Sequence, residues 1–231
     1  MNLNLIDQTE LLRREHGRTL YEGAEGSVLC SPDGRTVFSD ILDIPRLRAL
    51  LQALTPPQTD TFSVKSAQAA DLVTELFGMT GRTDCAQWVY CRDAAPDFDR
   101  SIDIHPMPRE DVPLAAPHYG LLGDCTEFFY EQSAAGRLFG LYEGGRLAGF
   151  IGLHHEGSMG ILEVLPEYRR RGLAMTLEGW LIRWHLERGW TPYCHVYEDN
   201  PASHALQKKL GLTPAPEQVV WLHRPHGEDE E

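Results

Sequence analysis

Apolar residues in the first part of the chain recur mainly at helical spacing. The pattern predicts helices over Leu5–His16, Leu47–Leu54 and Ala67–Phe77. Between the first two helices, Ser31-Pro32-Asp33-Gly34 separates two short apolar runs and predicts a hairpin, because proline and glycine suit tight turns. The run from Cys85 to Cys91 predicts a strand. No group of reactive side chains stands out here, which favours a packing or dimer-forming role for this part.

The second part of the chain alternates short strand patterns with helical ones. Its longest helical pattern, Arg170–Arg188, has an apolar stripe that includes Leu177 and Leu181 and stops at Gly189. Glu143-Gly144-Gly145 lies between two apolar runs and is a strong hairpin signal. The other predicted elements are helices over Thr126–Ala135 and Pro201–Leu210, and strands over Ser101–His105, Leu138–Tyr142, Leu147–Leu153, Met159–Leu165, Tyr193–Tyr197 and Val219–Leu222.

A turn-rich stretch, Arg92–Asp97, separates the two parts. We therefore predict a smaller α+β domain at residues 1–95 without an evident active site, a second domain at 100–226 and a solvated acidic tail at 227–231. Helices and strands mix in both parts, and this mixture indicates an α+β (mixed α/β) fold.

Charge and composition narrow the classes of partner. The formal net charge of −13 disfavours nucleic acid, because duplex affinity depends on lysine and arginine contacts to phosphates. The charge is compatible with a cationic acceptor such as an amine, or with solubility alone. No apolar run reaches the ~20 residues of a membrane span, and the N-terminus lacks the pattern of a secretory signal. The five cysteines include no C-x-x-C pair, so we expect reduced thiols in a cytoplasmic protein and no metal site.

The segment Leu162–Ala174 places a strand, a turn and a helix start in an order that suits a phosphate ligand. Its turn has the form R-x-x-G-x-A, in which Gly172 allows close approach to the backbone. The free amides and the dipole at a helix start favour a diphosphate, and Arg169–Arg171 add positive charge. By itself the motif is a weak signal, and three arginines can equally form a solvated basic face. The context strengthens it, since the strand ends at V-x-P and a long helix follows.

Three further motifs accompany this segment: Tyr193-Cys194-His195-Val196, Asn200-x-x-Ser203 and Lys209-Leu210-Gly211-Leu212. With them, the region from Ser101 to Arg224 resembles a GNAT (GCN5-related N-acetyltransferase) domain, and it is most similar to the glycine N-acyltransferase branch with its FR47-like relatives. The resemblance implies a central mixed, mostly antiparallel sheet flanked by helices. In that branch the N-terminal region often resembles a degenerate second copy of the fold, and the residues before Arg92 are candidates for such a copy.

The resemblance also implies acetyl-coenzyme A, or another acyl-coenzyme A, as co-substrate. The pantetheine arm would lie along the strand backbone like an added strand, and the diphosphate would lie on the glycine loop. Asn200 would contact the coenzyme near its thioester, and it can serve as a helix cap at the same time. The full set of implied coenzyme contacts is Leu162, Val164, Arg169, Arg170, Arg171, Gly172, Leu173, Ala174, Asn200 and Ser203.

The sequence departs from the family at the catalytic groups. Many members carry a glutamate base on the strand before V-x-P, whereas the matching residue here is Ser158. Glu156 would share the face of Ser158 in a regular strand, and Glu163 would not unless a bulge intervenes. His195 is the second candidate base, because histidine has a suitable pKa, and a hydrogen-bonded structural role is its equal alternative. Gln207 replaces the tyrosine acid of many members, so the general acid is unassigned.

The predicted reaction is direct attack of a primary amine on the thioester, with His195 or Glu156 as base. A small-molecule amine is the favoured acceptor, and a protein lysine or N-terminus is a variant left open. A different class is a non-catalytic coenzyme A-binding sensor or assembly module, which the missing glutamate and tyrosine suggest. An ATP-binding loop is disfavoured, because G-x-x-x-x-G-K-[ST] is absent. The oligomeric state stays open, with a homodimer among the alternatives.

Overall fold

The computed structural model describes residues 1–119 and 125–224 and has an α+β fold. These residues form two compact units. Unit 1 consists of Met1–Val89, His195–Pro201 and the chain from Pro214 onward, and unit 2 of Tyr90–Cys194 and Ala202–Thr213. The expected domain division between residues 95 and 100 stays a prediction, and the expected acidic tail at 227–231 lies outside the described residues. None of the described helices has the length and apolar character that crossing a bilayer requires.

The described helices and strands follow one another along the chain as below. They are α1 (Ile6–Arg13), β1 (Arg18–Gly23), β2 (Gly26–Cys30), β3 (Thr36–Ser39), α2 (Ile44–Leu54), β4 (Thr61–Val64), α3 (Ala67–Phe77), β5 (Gly81–Val89), β6 (Asp103–Pro106), α4 (Val112–Ala115), α5 (Thr126–Ala134), β7 (Leu138–Glu143), β8 (Arg146–Leu153), β9 (Met159–Val164), α6 (Leu173–Leu186), β10 (Tyr193–Tyr197), α7 (Pro201–Leu210) and β11 (Thr213–His223).

Unit 1 contains a sheet in the order β1-β2-β3-β4-β11-β5. Neighbouring strands are antiparallel at β1–β2, β2–β3 and β4–β11, and parallel at β3–β4. Helices α2 and α3 belong to the same hydrophobic core as this sheet, where Leu47, Leu51 and Val73 are buried together with Phe62. Ser66 accepts a hydrogen bond from the amide of Ala69 and so caps the start of α3.

Unit 2 contains β9, β8, β7 and β6 in that order, and Cys194 of β10 pairs with Met159 of β9. The strand pairs from β9 to β6 are antiparallel, as the implied fold requires. The turn between β7 and β8 has positive φ at both Gly144 and Gly145, so the hairpin predicted there is confirmed. Phe129 of α5 lies in one buried cluster with Phe150 and Ile161 of the sheet.

Most predicted elements are confirmed, with three corrections. The long helix begins at Leu173 and not at Arg170, because Arg170 and Gly172 both have left-handed backbones that no α-helix accommodates. Strands β1 and β4 were not predicted, since each is short and lacks a clear alternation of apolar and polar residues. The last strand, β11, extends well beyond the predicted Val219–Leu222.

Candidate active site

A β-bulge interrupts β9 in the middle of the predicted coenzyme strand. Phe150 pairs with Glu163 and Gly152 with Gly160, so β9 has one residue more than β8 between these pairs. The bulge contains Ile161, whose φ of 53° is left-handed. For a β-branched residue this is an unfavourable backbone conformation that only the surrounding structure can impose. The side chain of Ile161 is buried in the hydrophobic core of unit 2, and this packing constrains the residue.

The described pairing of β9 differs between its two sides. The described pairing of β9 with β10 is parallel and joins Met159 to Cys194, whereas its pairing with β8 continues as far as Val164. Among the described strand pairs, none covers Gly160–Val164 on the β10 side. The coenzyme contacts expected of Leu162 and Val164, like those of an added strand, stay predictions.

Two polar side chains contact the Val164 backbone. Its N–H donates to Glu163 Oε1 at 3.1 Å, and its carbonyl accepts from Arg169 Nε at 2.9 Å. Arg169 Nη2 also forms an ion pair with Glu163 Oε1 at 3.1 Å, and more than half of the Arg169 side chain is exposed. Since both side chains reach solvent, a ligand amide can replace them without breaking the pairing of β9 with β8.

The glycine loop leads into an uncapped helix start. Gly172 occupies the N-cap position of α6 with φ 83°, and no side chain caps the helix. A Cβ added at Gly172 would meet no described heavy atom within 4 Å, so open space lies in front of the loop. Leu173 is buried beneath it and Ala174 is partly buried. The start of α6 is therefore uncapped by side chains, and helix starts of this kind favour anions.

The three arginines have different surroundings. Arg169 is bonded to β9 as above, and Arg171 forms an ion pair with Glu143 at 2.7 Å. The side chain of Arg170 has no ion pair in the described part of the chain, and its backbone is left-handed with φ 62°. All three side chains are exposed, and that of Arg170 is the one among them without a described ion pair.

Glu156 lies in the turn between β8 and β9 and not on a strand, which corrects the assumption of a shared strand face. The hydroxyl of Ser158 donates a short hydrogen bond to Glu156 Oε1. Tyr193 OH donates to the backbone carbonyl of Glu156 at 3.0 Å, which ties the turn to the start of β10. Ser158 is buried and Glu156 is half-buried, so the carboxylate is held in place and still reaches solvent.

His155 is a further candidate base, which the sequence pattern did not indicate. Although the residue is exposed overall, its ring packs edge-on against Phe128 with 5.4 Å between centroids. Partial burial, and then the charge of Arg137, lower the pKa of His155 and favour its neutral form. A neutral imidazole next to Glu156 in the chain can accept a proton.

His195 lies in unit 1 within a chain of hydrogen bonds. Trp221 Nε1 donates to His195 Nδ1 at 3.2 Å, and His195 Nε2 lies 2.9 Å from Gln87 Oε1. An indole can only donate and an amide oxygen can only accept, so the neutral ring carries its proton on Nε2. Both nitrogens are engaged, and general-base catalysis by His195 would require Trp221 to move away. Its predicted catalytic role stays a prediction, and the network supports the structural alternative.

The remaining predicted residues lie around the start of α7. Asn200 belongs to unit 1 and directly precedes α7. Its backbone N–H donates a hydrogen bond to the backbone carbonyl of Tyr197 at 2.9 Å. Ser203 belongs to unit 2 and lies in the first turn of α7, where it is partly buried. Their contacts with the coenzyme stay predictions. Gln207, which stands where the family's tyrosine is expected, is buried and hydrogen-bonded to Glu178 of α6.

Unit 1 also contains a cavity of 470 Å³ beside the start of α3. Its charged lining residues are Lys65, Glu198 and Glu217, and the predicted site residues do not line it. Lys65 is committed to a buried ion pair with Asp7 at 2.6 Å. We therefore do not assign this cavity to the candidate site in the segment from β9 to α6.

Comparison with known proteins finds a family match within the chain. Residues 103–212 match the model of the acetyltransferase (GNAT) family. A Drosophila protein of known structure matches with a TM-score of 0.67 and 19% identity, over 95% of this chain and 86% of that chain. A GCN5-related N-acetyltransferase from Kribbella flavida matches with a TM-score of 0.58 and 13% identity, over 97% of this chain and 95% of that chain.

An acetyltransferase of the GNAT family from Colwellia psychrerythraea matches with a TM-score of 0.55 and 15% identity, over 95% of this chain and 96% of that chain. At these identities the structures establish the fold, and nothing about substrates follows from them. No curated protein matches the chain.

Proposed function

Because residues 103–212 match the model of the acetyltransferase (GNAT) family, we propose that the chain is a member of this family and transfers an acyl group from acyl-coenzyme A to a primary amine. Acetyl-coenzyme A is the proposed donor, and a small-molecule amine is the proposed acceptor. The expected contacts of Asn200 and Ser203 with the coenzyme, and the assignment of the base, are parts of the same proposal.

The observation that carries the proposal is the sequence of a bulged strand, β9, a glycine loop and the uncapped start of α6. The strand offers backbone groups at Leu162 and Val164, and the loop offers free amides and three exposed arginines. Extended polar ligands bind to strand edges, and diphosphates bind to helix starts. A coenzyme A molecule has both parts in the same order.

The residues present fit this coenzyme. The bonds of Val164 to Glu163 and Arg169 are made by side chains that reach solvent, so a pantetheine amide can take their place. The open space in front of Gly172 leaves room for the diphosphate. When bound, the thioester supplies an activated acyl carbon and a thiol leaving group.

Residues of the chain would then accept the proton of the ammonium group and stabilise the negative charge that develops on the thioester oxygen. Glu156, held by Ser158, would take a proton from the incoming ammonium group so that the amine nitrogen can attack. Neutral His155 in the same turn is a second acceptor for that proton. A backbone N–H of the bulged strand between Leu162 and Val164 would donate to the oxyanion of the tetrahedral carbon. The proton released by the amine would reach the departing sulfur through water.

One observation favours the alternative of a coenzyme A-binding module without turnover. Gln207 occupies the position of the family's general acid and is buried against Glu178, where it cannot protonate a thiolate. A thiol is a fair leaving group without an acid, and so we favour the enzyme.

The deciding experiment combines coenzyme binding with turnover. Calorimetry would measure acetyl-coenzyme A affinity, and release of free thiol would be followed with amino acids, polyamines and a lysine-containing peptide. Binding with amine-dependent thiol release supports the enzyme. Binding without release across the panel supports the module, and absence of binding would remove both.

A further inference from the structure

Glu178 and Gln207 form a buried polar contact between α6 and α7. Both residues are 3% exposed, and both lie in unit 2. Their side chains are hydrogen-bonded to each other. One oxygen of each, Glu178 Oε2 and Gln207 Oε1, has no hydrogen-bond partner among the described residues. Each buried acceptor without a donor reduces the free energy of unfolding, and this contact contains two of them.

A single proton would satisfy both oxygens. An ionised carboxylate only accepts, and the amide of Gln207 has one acceptor and one NH₂ donor group. With the NH₂ group donating to one carboxyl oxygen, the carboxylate form leaves the remaining two acceptors facing an apolar interior. A proton on Glu178 Oε2 supplies the missing donor and closes a reciprocal acid–amide pair with Gln207 Oε1.

We propose that Glu178 is a protonated carboxylic acid in the folded protein, and that its pair with Gln207 positions α7 against α6 in a proton-dependent way. The first of these helices begins at the glycine loop and the second begins after Asn200. The link to coenzyme affinity rests on the proposed function, whereas the protonation itself does not.

Burial favours the protonated form of Glu178, as the proposal requires. Burial raises the pKa of Glu178 to about 7, and the hydrogen bond from Gln207 lowers it by less. Charged groups on the neighbouring elements do not contribute to this shift. Those groups are Arg183 and His185 on α6, Arg146 on β8, Glu163 on β9, His204, Lys208 and Lys209 on α7, and Asp97 and Asp99 beside Phe98, which contacts Gly179.

The pH dependence has a definite sign. The pKa of Glu178 is higher in the folded protein than the ordinary value of 4.5. The protonated form therefore contributes stability at pH values below that ordinary value, and this contribution is lost as the pH rises through about 7. Above this window an ionised carboxylate remains buried between the two helices, and we expect their contact to loosen.

The variant Glu178→Gln tests the proposal, because an amide supplies both a donor and an acceptor at every pH and so imitates the protonated acid. Infrared spectroscopy would follow the C=O stretch of a protonated carboxylic acid, and thermal unfolding would give Tm, both as functions of pH. We expect the wild type to show a signal that titrates near neutral pH and a Tm that falls relative to Glu178→Gln over the same window. Glu187→Gln, an exposed glutamate at the end of the same helix, is the matched control and should preserve both wild-type profiles.

Coenzyme affinity supplies the functional readout. The Kd for acetyl-coenzyme A should weaken more in the wild type than in Glu178→Gln between pH 6 and 8.5, by about threefold or more. An absent infrared signal, or parallel Tm profiles in the two proteins, would overturn the protonation. A titrating signal with equal pH dependence of Kd would overturn the positioning role. A titrating signal in a protein that binds no coenzyme would leave the acid–amide pair standing and remove the proposed function instead.

Discussion

The indole nitrogen of Trp221 lies 3.2 Å from Nδ1 of His195 and donates a hydrogen bond to it. On the other side of the ring, Gln87 accepts from Nε2 and is itself within 3.5 Å of the buried ammonium group of Lys65. The imidazole is thereby fixed in one tautomer and orientation. The lone pair that a general base needs points at an N–H group.

We expect His195→Gln to act mainly on stability. Glutamine cannot keep both hydrogen bonds in this geometry, so Tm should fall, while kcat/KM should change by less than about threefold. Trp221→Phe removes one donor and should lower Tm in the same way. The pH dependence of kcat/KM distinguishes a structural role of His195 from a catalytic one. A loss of about 10²–10⁴-fold together with the disappearance of a histidine-like pKa would restore His195 as the base.

Gly172→Glu should abolish acetyl-coenzyme A binding. A carboxylate at this position places negative charge at the uncapped start of α6, where the diphosphate is expected. Gly78→Glu is a matched control, because Gly78 is also exposed, has φ 67° and has open space around its Cα. Both variants should lose similar stability from the left-handed backbone. Equal coenzyme affinity in the two variants, measured by calorimetry, would refute the predicted site.

Glu156→Gln should reduce kcat by about 10²–10⁴-fold if Glu156 is the general base. The amide keeps the size of the side chain and can accept from Ser158, so Kd for the coenzyme should be little changed. Ser158→Ala removes the hydrogen bond that holds the carboxylate and should have a smaller effect in the same direction. Should Glu156→Gln retain full activity, His155→Gln becomes the next variant to measure.

Lys65→Met should destabilise unit 1 by about 3–5 kcal/mol, because it leaves the fully buried carboxylate of Asp7 without a counter-charge. Asp7→Leu combined with Lys65→Met removes both charges and should recover much of this loss. Urea unfolding measures the wild type, Asp7→Leu, Lys65→Met and the double variant. Additive losses in the double variant would show that the ion pair is not the source of the effect.

The segment from β9 to α6 could be predicted because the residues that determine its structure lie close together in the sequence. The strand pattern, V-x-P and R-x-x-G-x-A lie within a few residues of one another, and Gly172 has the left-handed backbone that its residue type permits. The start of α6 was misplaced, since nothing in the residue type of Arg170 indicates a positive φ.

The surroundings of the polar side chains could not be predicted, because their partners are distant in sequence. His195 and Gln87 are 108 residues apart, and Lys65 and Asp7 are 58 apart. The bulge at Ile161 is equally hidden, since it depends on how β9 is forced to pair with β8. Spacing along one strand cannot reveal an extra residue in the ladder, which is why the surroundings of Glu163 were left open.

The left-handed backbone of Arg170 has a consequence for protein engineering. Among the described non-glycine residues, this conformation occurs at Glu15, Ile161 and Arg170, and the last two lie in the segment from β9 to α6. Such a residue costs about 1–3 kcal/mol relative to a relaxed backbone. Arg170→Gly would release that strain and raise thermostability, yet it would remove a cation from the helix start. A search for stabilised variants should therefore select this substitution repeatedly and weaken the coenzyme site each time.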